Sequence, residues 1–424
     1  MPALRRRLSV AARSAEHRLN YSTVRLPKFL SAFRIQSYRF QWGSDLLNSW
    51  AFEMETLILG WFVLVTTDSP FLLAAFAALT FSGTLLSPFF GVLADRVDRR
   101  AILIILRLIY GALASAILLL ALVGTVQPWQ VFVISGIAGL VRPSDFAVKF
   151  ALIADTVPTR DLHNAMGFSR ATMDSARIFG ALLGAGLFST LGIGAAYGAV
   201  VGLYLASVLL AWRITPIPRQ PTENSRPWTD LKLGFSYIRR NETIVAIMAL
   251  AFLANFTGFP MIRGLLPALA RDVYGMDETG LAQLIALLAI GALLGSLATA
   301  TVLRVTKPAR MMVIWLVIWH LFILLLGLFS IPMAAGVVIT VIGLAQSFAM
   351  IPMSVLLLKI TDEVYRGRVS GVRMLAVYGM PMGLLTGGAL IEWIGVPATT
   401  VIFGLTGILT TLVIVARWRT ILTT

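Results

Sequence analysis

The chain has 424 residues, 58% of them hydrophobic and only 13% charged, with a mean hydropathy of +0.84; soluble domains carry about 25% charged residues, so a water-soluble globular protein is excluded. The net charge of +15 would suit nucleic acid in a soluble protein, but here the basic residues follow the apolar blocks instead of forming a patch, so no nucleic-acid partner is expected. Cysteine is absent and the three histidines, His17, His163 and His320, are scattered, which leaves no disulfide, no thiol nucleophile and no expected metal site; with no phosphate-binding loop and no nucleophile–base set, neither an ATPase, an enzyme nor a cofactor is expected.

Residues 1–43 hold Arg5, Arg6, Arg7, Arg13, Arg18, Arg25, Lys28, Arg34 and Arg39 against the single acid Glu16. They read as a cytoplasmic tail lying on the inner membrane, with an organellar transit peptide as the lesser alternative. Beyond it come about twelve apolar blocks, each long enough to cross a bilayer. They run over 44–67, 71–94, 101–124, 128–148, 168–190, 195–213, 243–266, 280–303, 311–330, 334–357, 368–390 and 397–416. An all-α polytopic membrane protein of twelve transmembrane helices is predicted.

The stretch 214–242 interrupts the blocks with Pro216, Pro218, Pro221 and Pro227 and several basic residues. It reads as a linker whose Trp228–Arg240 portion forms an interfacial amphipathic helix. Two six-helix bundles, 44–213 and 243–416, are therefore expected, with a short tail at 417–424. One constant offset carries Gly136 onto Gly343, Ala138 onto Ala345, Val148 onto Val355, Asp155 onto Asp362, Val157 onto Val364 and Gly180 onto Gly387. Such a repeat is how carriers with a midplane site between pseudo-symmetric halves are built.

Most of the 35 Lys and Arg lie in the tails and in alternate connections, at 95–100, 149–167, 213–242, 304–310 and 358–368, while the opposite connections hold little more than Arg271. By the positive-inside rule both termini are cytoplasmic, and the basic residues meet anionic membrane lipids. Arginine far outnumbers lysine, which points to a GC-rich bacterium and hence to its inner membrane.

Charges inside spans are costly and face a cavity or a partner. The first half is rich in them: Asp45, Glu53 and Glu55 on the first span, Arg107 on the third, Arg142, Asp145 and Lys149 on the fourth, and Arg170, Asp174 and Arg177 on the fifth. From a start near 44, Glu53 and Glu55 lie about 14–17 Å deep and about 200° apart around their helix. Glu55 continues a polar stripe with Asp45 and Asn48 and is the first candidate for a proton or cationic-substrate site, with Glu53 second. The alternative for each is a permanent ion pair with arginine.

Arg142, Asp145 and Lys149 form one charged stripe, which either reaches substrate or neutralises itself. Asp174 and Arg177 read as an internal pair, and Gly180, Gly184 and Gly186 as helix-packing positions. In the poorer second half, Asn255 and Gln346 are polar candidates, Arg263 and Arg373 are expected to snorkel outward and inward, with anion binding as the lesser alternative, and His320 to be packed. Trp129, Trp393 and Trp418 read as interface anchors. A passive scaffold has little reason to keep Glu53, Glu55, Arg142 and Asp145.

The loop Gly91-Val-Leu-Ala-Asp95-Arg96-Val-Asp98-Arg99-Arg100 resembles the signature G-x-L-A-D-R-x-x-R-R of the major facilitator superfamily, and its Asp-Arg-x-Asp-Arg-Arg form is similar to the branch of siderophore (enterobactin) and macrolide exporters. Gly60-Trp61 followed by Asp68-Ser69-Pro70, the Ala151–Pro158 loop, Ala176–Gly180, Leu266–Val273 and Arg366-Gly-Arg368-Val369 match further patterns of that branch in order. The resemblance covers nearly all of 44–416. The loop at 304–310, which should echo the Asp95 loop, lacks the acid. What it implies is a monomeric rocking-bundle carrier in which Gly91, Asp95, Arg96, Arg99, Arg100 and Asp155 form a cytoplasmic latch that holds the outward-open state. Asp95 would face the helix near Arg368, and Arg99 and Arg100 would pair with acids such as Asp155. It also implies that the fourth span lines the cavity. Proton-coupled export of an amphipathic small molecule, drug-like or a siderophore, is the expected function; uptake or lipid transport by the same fold is the alternative.

Overall fold

The computed structural model describes residues 27–86, 97–216, 227–301 and 307–423, nearly all helical. Gly91, Asp95 and Arg96 lie outside the described residues. Helix α1 runs from Gln36 to Thr67, so it begins before the apolar block does. Hydropathy stops at Arg39, but backbone hydrogen bonding continues into the headgroup layer. The 3-10 turn Lys28–Arg34 precedes it. Its Phe33 ring packs edge-on against Tyr38, Trp42 and Phe168 at 5.3, 5.0 and 4.8 Å, which ties the end of the expected tail into the first bundle.

Asp68 ends α1 in the left-handed region at φ 50°. Ser69 then caps α2 (Pro70–Leu79) by accepting from the Leu72 N–H, with Pro70 in the first turn. Helix α3 (Arg99–Val123) is capped by Asp98 and closes at Gly124 with φ 73°. Helix α4 covers Pro128–Thr156. Helix α5 (Thr159–Ser175) passes through a π turn, Ala176–Gly180, into α6 (Ala181–Ala211).

Nine described stretches are long and apolar enough to cross a membrane. Two of them are too long for one crossing: the 53 residues of Thr159–Ala211 would extend about 80 Å against a hydrocarbon core of about 30 Å. The chain reverses at Gly192, whose φ of 79° and ψ of 177° only glycine adopts without strain. Contacts with α1 show the reversal. Gly180 and Gly184 meet Trp50 and Met54 in rising order, while Ser207 and Tyr197 meet Ser44 and Glu55 in falling order.

The linker helix α7 (Pro227–Arg239) docks on the second half, its Tyr237 ring stacked on Tyr365 at 4.3 Å and its hydroxyl accepting from the Asp362 N–H. The seventh span, expected over 243–266, runs from Glu242 to Arg263. Helix α8 (Glu242–Leu253) passes through a π turn, Ala254–Gly258, into α9 (Phe259–Arg263), and after a bend at Gly264 and Leu265 the short helix α10 (Leu266–Asp272) follows. Pro260 and Pro267 cannot donate to the preceding turn; the first lies just after the π turn and the second just after the bend. Helices α11 (Glu278–Thr301), α12 (Pro308–Leu326), α13 (Pro332–Ile360), α14 (Arg366–Ala376) and α15 (Gly379–Arg417) complete the bundle. The last is broken at Gly395, with φ 81°, in the same manner as at Gly192.

Polarity is inverted relative to a soluble protein. Leu122, Leu209 and Val413 are well over half exposed, as are Trp129 and Trp393 near span ends, while the interior holds Asp45, Arg107 and Lys149. Such an exterior suits lipid. Arg373, expected to snorkel, instead donates to Ser354 Oγ at 2.9 Å. His320 is fully buried between Thr257 Oγ1 and the Leu316 carbonyl, both at 2.8 Å.

Polar contacts between the halves, among the described residues, cluster at the end carrying Arg271. That guanidinium reaches Asp68 at 2.9 Å and the Leu64 carbonyl at 3.0 Å. Glu392 accepts from Ser69 Oγ and from the Phe71 N–H. Beside them α15 presses on α2 so closely that a Cβ on Gly388 would lie 2.4 Å from Ala74 Cβ and 3.0 Å from Phe71 Cα. This end is sealed. Gly388→Val should therefore force it open. A single cysteine in place of the cavity residue Ala77, in a chain with no native cysteine, should then react several-fold faster with an impermeant maleimide applied from the Arg271 side. Unchanged labelling of an intact variant would sink this account of the seal.

Candidate functional site

A cavity of about 390 Å³ lies between the halves, lined from α1–α6 with the π turn before α6, and from the π turn after α8, α9–α11, α13 and α15. Its wall is largely apolar, with Phe52, Phe76, Phe81 and Phe259 among the contributors. Three polar groups are set into it or just behind it.

The first centres on Arg107, fully buried on α3. Its Nη2 donates to Asp45 Oδ1 at 2.7 Å and its Nη1 sits 2.8 Å from Asp145 Oδ1. Lys149 Nζ lies 3.9 Å from Asp45 Oδ2. Two acids and two bases from α1, α3 and α4 thus neutralise one another. Asp45, a sequence candidate for the cavity, is 3% exposed and stands behind the wall; the stripe it shares with Glu55 bends away from the cavity because Arg107 captures its carboxylate. Asp145 does line the cavity, but its partner is Arg107 and not its helix neighbour Arg142.

Glu55 forms the second group. Its carboxylate lines the cavity and accepts from Tyr204 at 3.0 Å and Tyr197 at 3.4 Å, two α6 hydroxyls two helical turns apart. Tyr110 stacks obliquely on Tyr204 at 5.8 Å and lies within electrostatic range of Asp145, Arg142, Arg107 and Glu55. It connects the first group to the second.

In the third group Arg177, carried by the π turn, lies 3.9 Å from Glu53 and 3.4 Å from Asp174, and Arg170 lies 3.2 Å from Asp174. Arg142 places its guanidinium over the Phe52 ring. Arg263, expected to snorkel outward, lines the cavity instead. Glu53 and Glu55 both reach the cavity although they point to different neighbours: the hollow wraps around α1, so a rotation of about 200° does not remove either from it. Asn255 and Gln346 line the second half's side; Asn255 donates to the Ala251 carbonyl at 2.9 Å.

At the other end of the bundle Arg99 Nη1 donates to Asp155 at 2.8 Å and to the Ala151 carbonyl at 3.0 Å. Arg100 turns away to the Trp212 carbonyl, so it does not share Asp155 as expected. The Arg99–Asp155 pair joins α3 to α4 inside one half. The sequence marks Arg107 only as a charge within the third span, and it does not mark Tyr197 and Tyr204. Two tyrosines at the spacing of two turns facing one carboxylate are the signal that could have found the latter pair.

Two bundles enclosing a mostly apolar, charge-studded cavity, sealed at one end, define a polytopic carrier. The chain belongs to the major facilitator superfamily, whose family model matches residues 46–381. It is 23% identical over 381 residues to the uncharacterized MFS-type transporter YfiS of Bacillus subtilis, covering 84% of this chain and 87% of that one. It is 25% identical over 284 residues to the enterobactin exporter EntS of Escherichia coli O1:K1, covering 66% and 67%. The crystal structure of the nucleoside transporter NupG superposes with a TM-score of 0.71 at 15% identity over 90% of this chain and 98% of that chain, which is a likeness of fold.

Proposed function

We propose that this protein is a secondary active transporter that exports an amphipathic small molecule in exchange for protons by alternating access. It acts as a monomer in a bacterial inner membrane with both termini cytoplasmic. The observation that carries the reading is Glu55: a cavity carboxylate held by two tyrosine hydroxyls and committed to no ion pair among the described residues. A group so placed can exchange a proton with the cavity as substrate comes and goes. The apolar wall with a few convergent polar groups suits an amphipathic cargo. Export as the direction draws on the likeness to EntS.

The bundles 44–213 and 243–416 rock about the cavity. The latch at the cytoplasmic end comprises Gly91, Asp95, Arg96, Arg99, Arg100 and Asp155; the Arg99–Asp155 pair holds the start of α3, and with it the end of the Asp95 loop, against α4. The test is accumulation of dyes, antibiotics and siderophores in efflux-deficient bacteria expressing the wild type or Asp95→Asn at matched membrane levels, with and without a protonophore. Lower accumulation that disappears with protonophore and in the variant is expected. Higher accumulation in expressing cells would mean uptake, and no change for any compound would remove export of this substrate class.

A further inference from the structure

We propose that the cavity takes an anionic amphiphile, its carboxylate or equivalent oxyanion held between Arg142 and Arg177 of the first half and Arg263 of the second. The inference rests on the cavity being the transport site, and not on proton coupling or direction.

Two guanidiniums around Glu53 lack an ion-pair partner among the described residues. Glu53 and Asp174 face Arg177 and Arg263, and Glu53 and Asp145 face Arg142, but Asp145 is already taken by Arg107. Asp174 is already shared by Arg170 and Arg177. Glu53 approaches Arg177 no closer than 3.9 Å, and Arg177 Nε is buried without a hydrogen-bond partner. Among the described residues, neither Arg142 nor Arg263 has a carboxylate within ion-pair distance; Arg142 rests on the Phe52 ring. Unpaired guanidiniums at membrane depth are costly and mark substrate or ion pathways. Arg142 and Arg263 are thus left to meet an incoming negative charge, and a guanidinium fork matches a carboxylate or another oxyanion.

The backbone supports the same assignment. Arg177 sits in the π turn of the fifth span, and Arg263 ends the short helix that follows the π turn of the seventh. Such π turns concentrate at functional sites. Because Arg263 belongs to one half and Arg142 and Arg177 to the other, an oxyanion between them ties the halves together. Phe76, Phe81 and Phe259 then meet an apolar body.

The test uses three probes with one pyrene body and different heads: pyrenebutyrate, pyrenebutanol and pyrenebutyl-trimethylammonium. Their binding to the full chain in zwitterionic nanodiscs is read by fluorescence above empty nanodiscs. Pyrenebutyrate should bind about tenfold or more tighter than the alcohol, and the ammonium more weakly still. Arg263→Gln and Arg142→Gln should each erase most of that preference, Arg263→Lys should keep part of it, and Arg373→Gln, whose guanidinium is held by Ser354, should leave it intact. Equal affinity for the three heads, preference for the cation, or no saturable pyrenebutyrate binding overturns the inference on wild-type protein alone. Binding needs no gradient. A chain that binds pyrenebutyrate but exports nothing would leave this inference and remove the export reading, and a chain that exports only cations would do the reverse.

Discussion

Glu55→Gln is expected to cut proton-driven flux by about tenfold or more, equivalent to at least about 1.4 kcal/mol in the limiting barrier, while leaving folding and gradient-free exchange of substrate nearly unchanged. Glutamine keeps the volume of glutamate and an oxygen that can still accept from Tyr204 and Tyr197; what it loses is the ability to ionise. A carrier whose driving proton rides on Glu55 can then still rock with substrate bound on both legs of an exchange. It can no longer take up a proton outside and release it inside, so the gradient no longer drives its return. The measurement is made in proteoliposomes, comparing uphill transport under an imposed pH gradient with counterflow at uniform pH. Normal uphill transport would show that the proton rides elsewhere. Loss of both activities in a folded variant would make Glu55 a substrate contact or a support for α6, and would equally remove the coupling role.

Much of the fold is legible in the sequence because hydropathy is a property of segments. The gaps between the blocks ending at 190 and starting at 195, and between those ending at 390 and starting at 397, contain the reversals at Gly192 and Gly395. The proline-rich stretch at 214–242 falls between Ala211, the end of α6, and Glu242, the start of α8. Helix ends are less legible: α1 outruns its apolar block to Gln36, since a helix entering the headgroup layer no longer needs apolar side chains. The π turn in the seventh span and the bend that ends it are spelled by Pro260, Gly264 and Pro267, yet a hydropathy window passes over them.

The site is legible in its residue types and not in its pairings. Depth along α1 gives Glu53 and Glu55 as midplane acids, but which neighbour each meets depends on rotations and crossings that one helix does not encode. Arg142 and Asp145 look like partners at the spacing of one turn. In the folded chain Asp145 goes to Arg107 on another helix and Arg142 goes to a ring. Arg263 looks like a snorkelling residue, yet in the folded chain it lines the cavity.

The largest structural effect is expected at Arg107. Arg107→Ala would strand Asp45 and Asp145 in the bundle with Lys149 alone beside them, 3.9 Å from Asp45. Removing one partner from a buried pair typically costs about 3–5 kcal/mol, because the other charge stays buried and uncompensated; against a total stability of about 5–15 kcal/mol that is enough to lose most of the protein. The expected result is a sharp fall in membrane yield and a lower Tm for whatever is purified. Restoring neutrality separates charge from packing. Arg107→Met combined with Asp145→Asn leaves one acid, Asp45, facing one base, Lys149, with nearly the original volume, and should recover much of the yield and Tm. If the single substitution leaves both unchanged, the cluster is not a support of the fold, and its charges would have to be kept for the transport cycle instead. If the double variant is as unstable as the single one, the loss comes from the packing of the Arg107 stem among α1, α3 and α4. Recovery of the fold without recovery of flux would show that the group around Arg107 also takes part in transport, with Tyr110, which stacks on the Glu55 partner Tyr204, as the nearest connection.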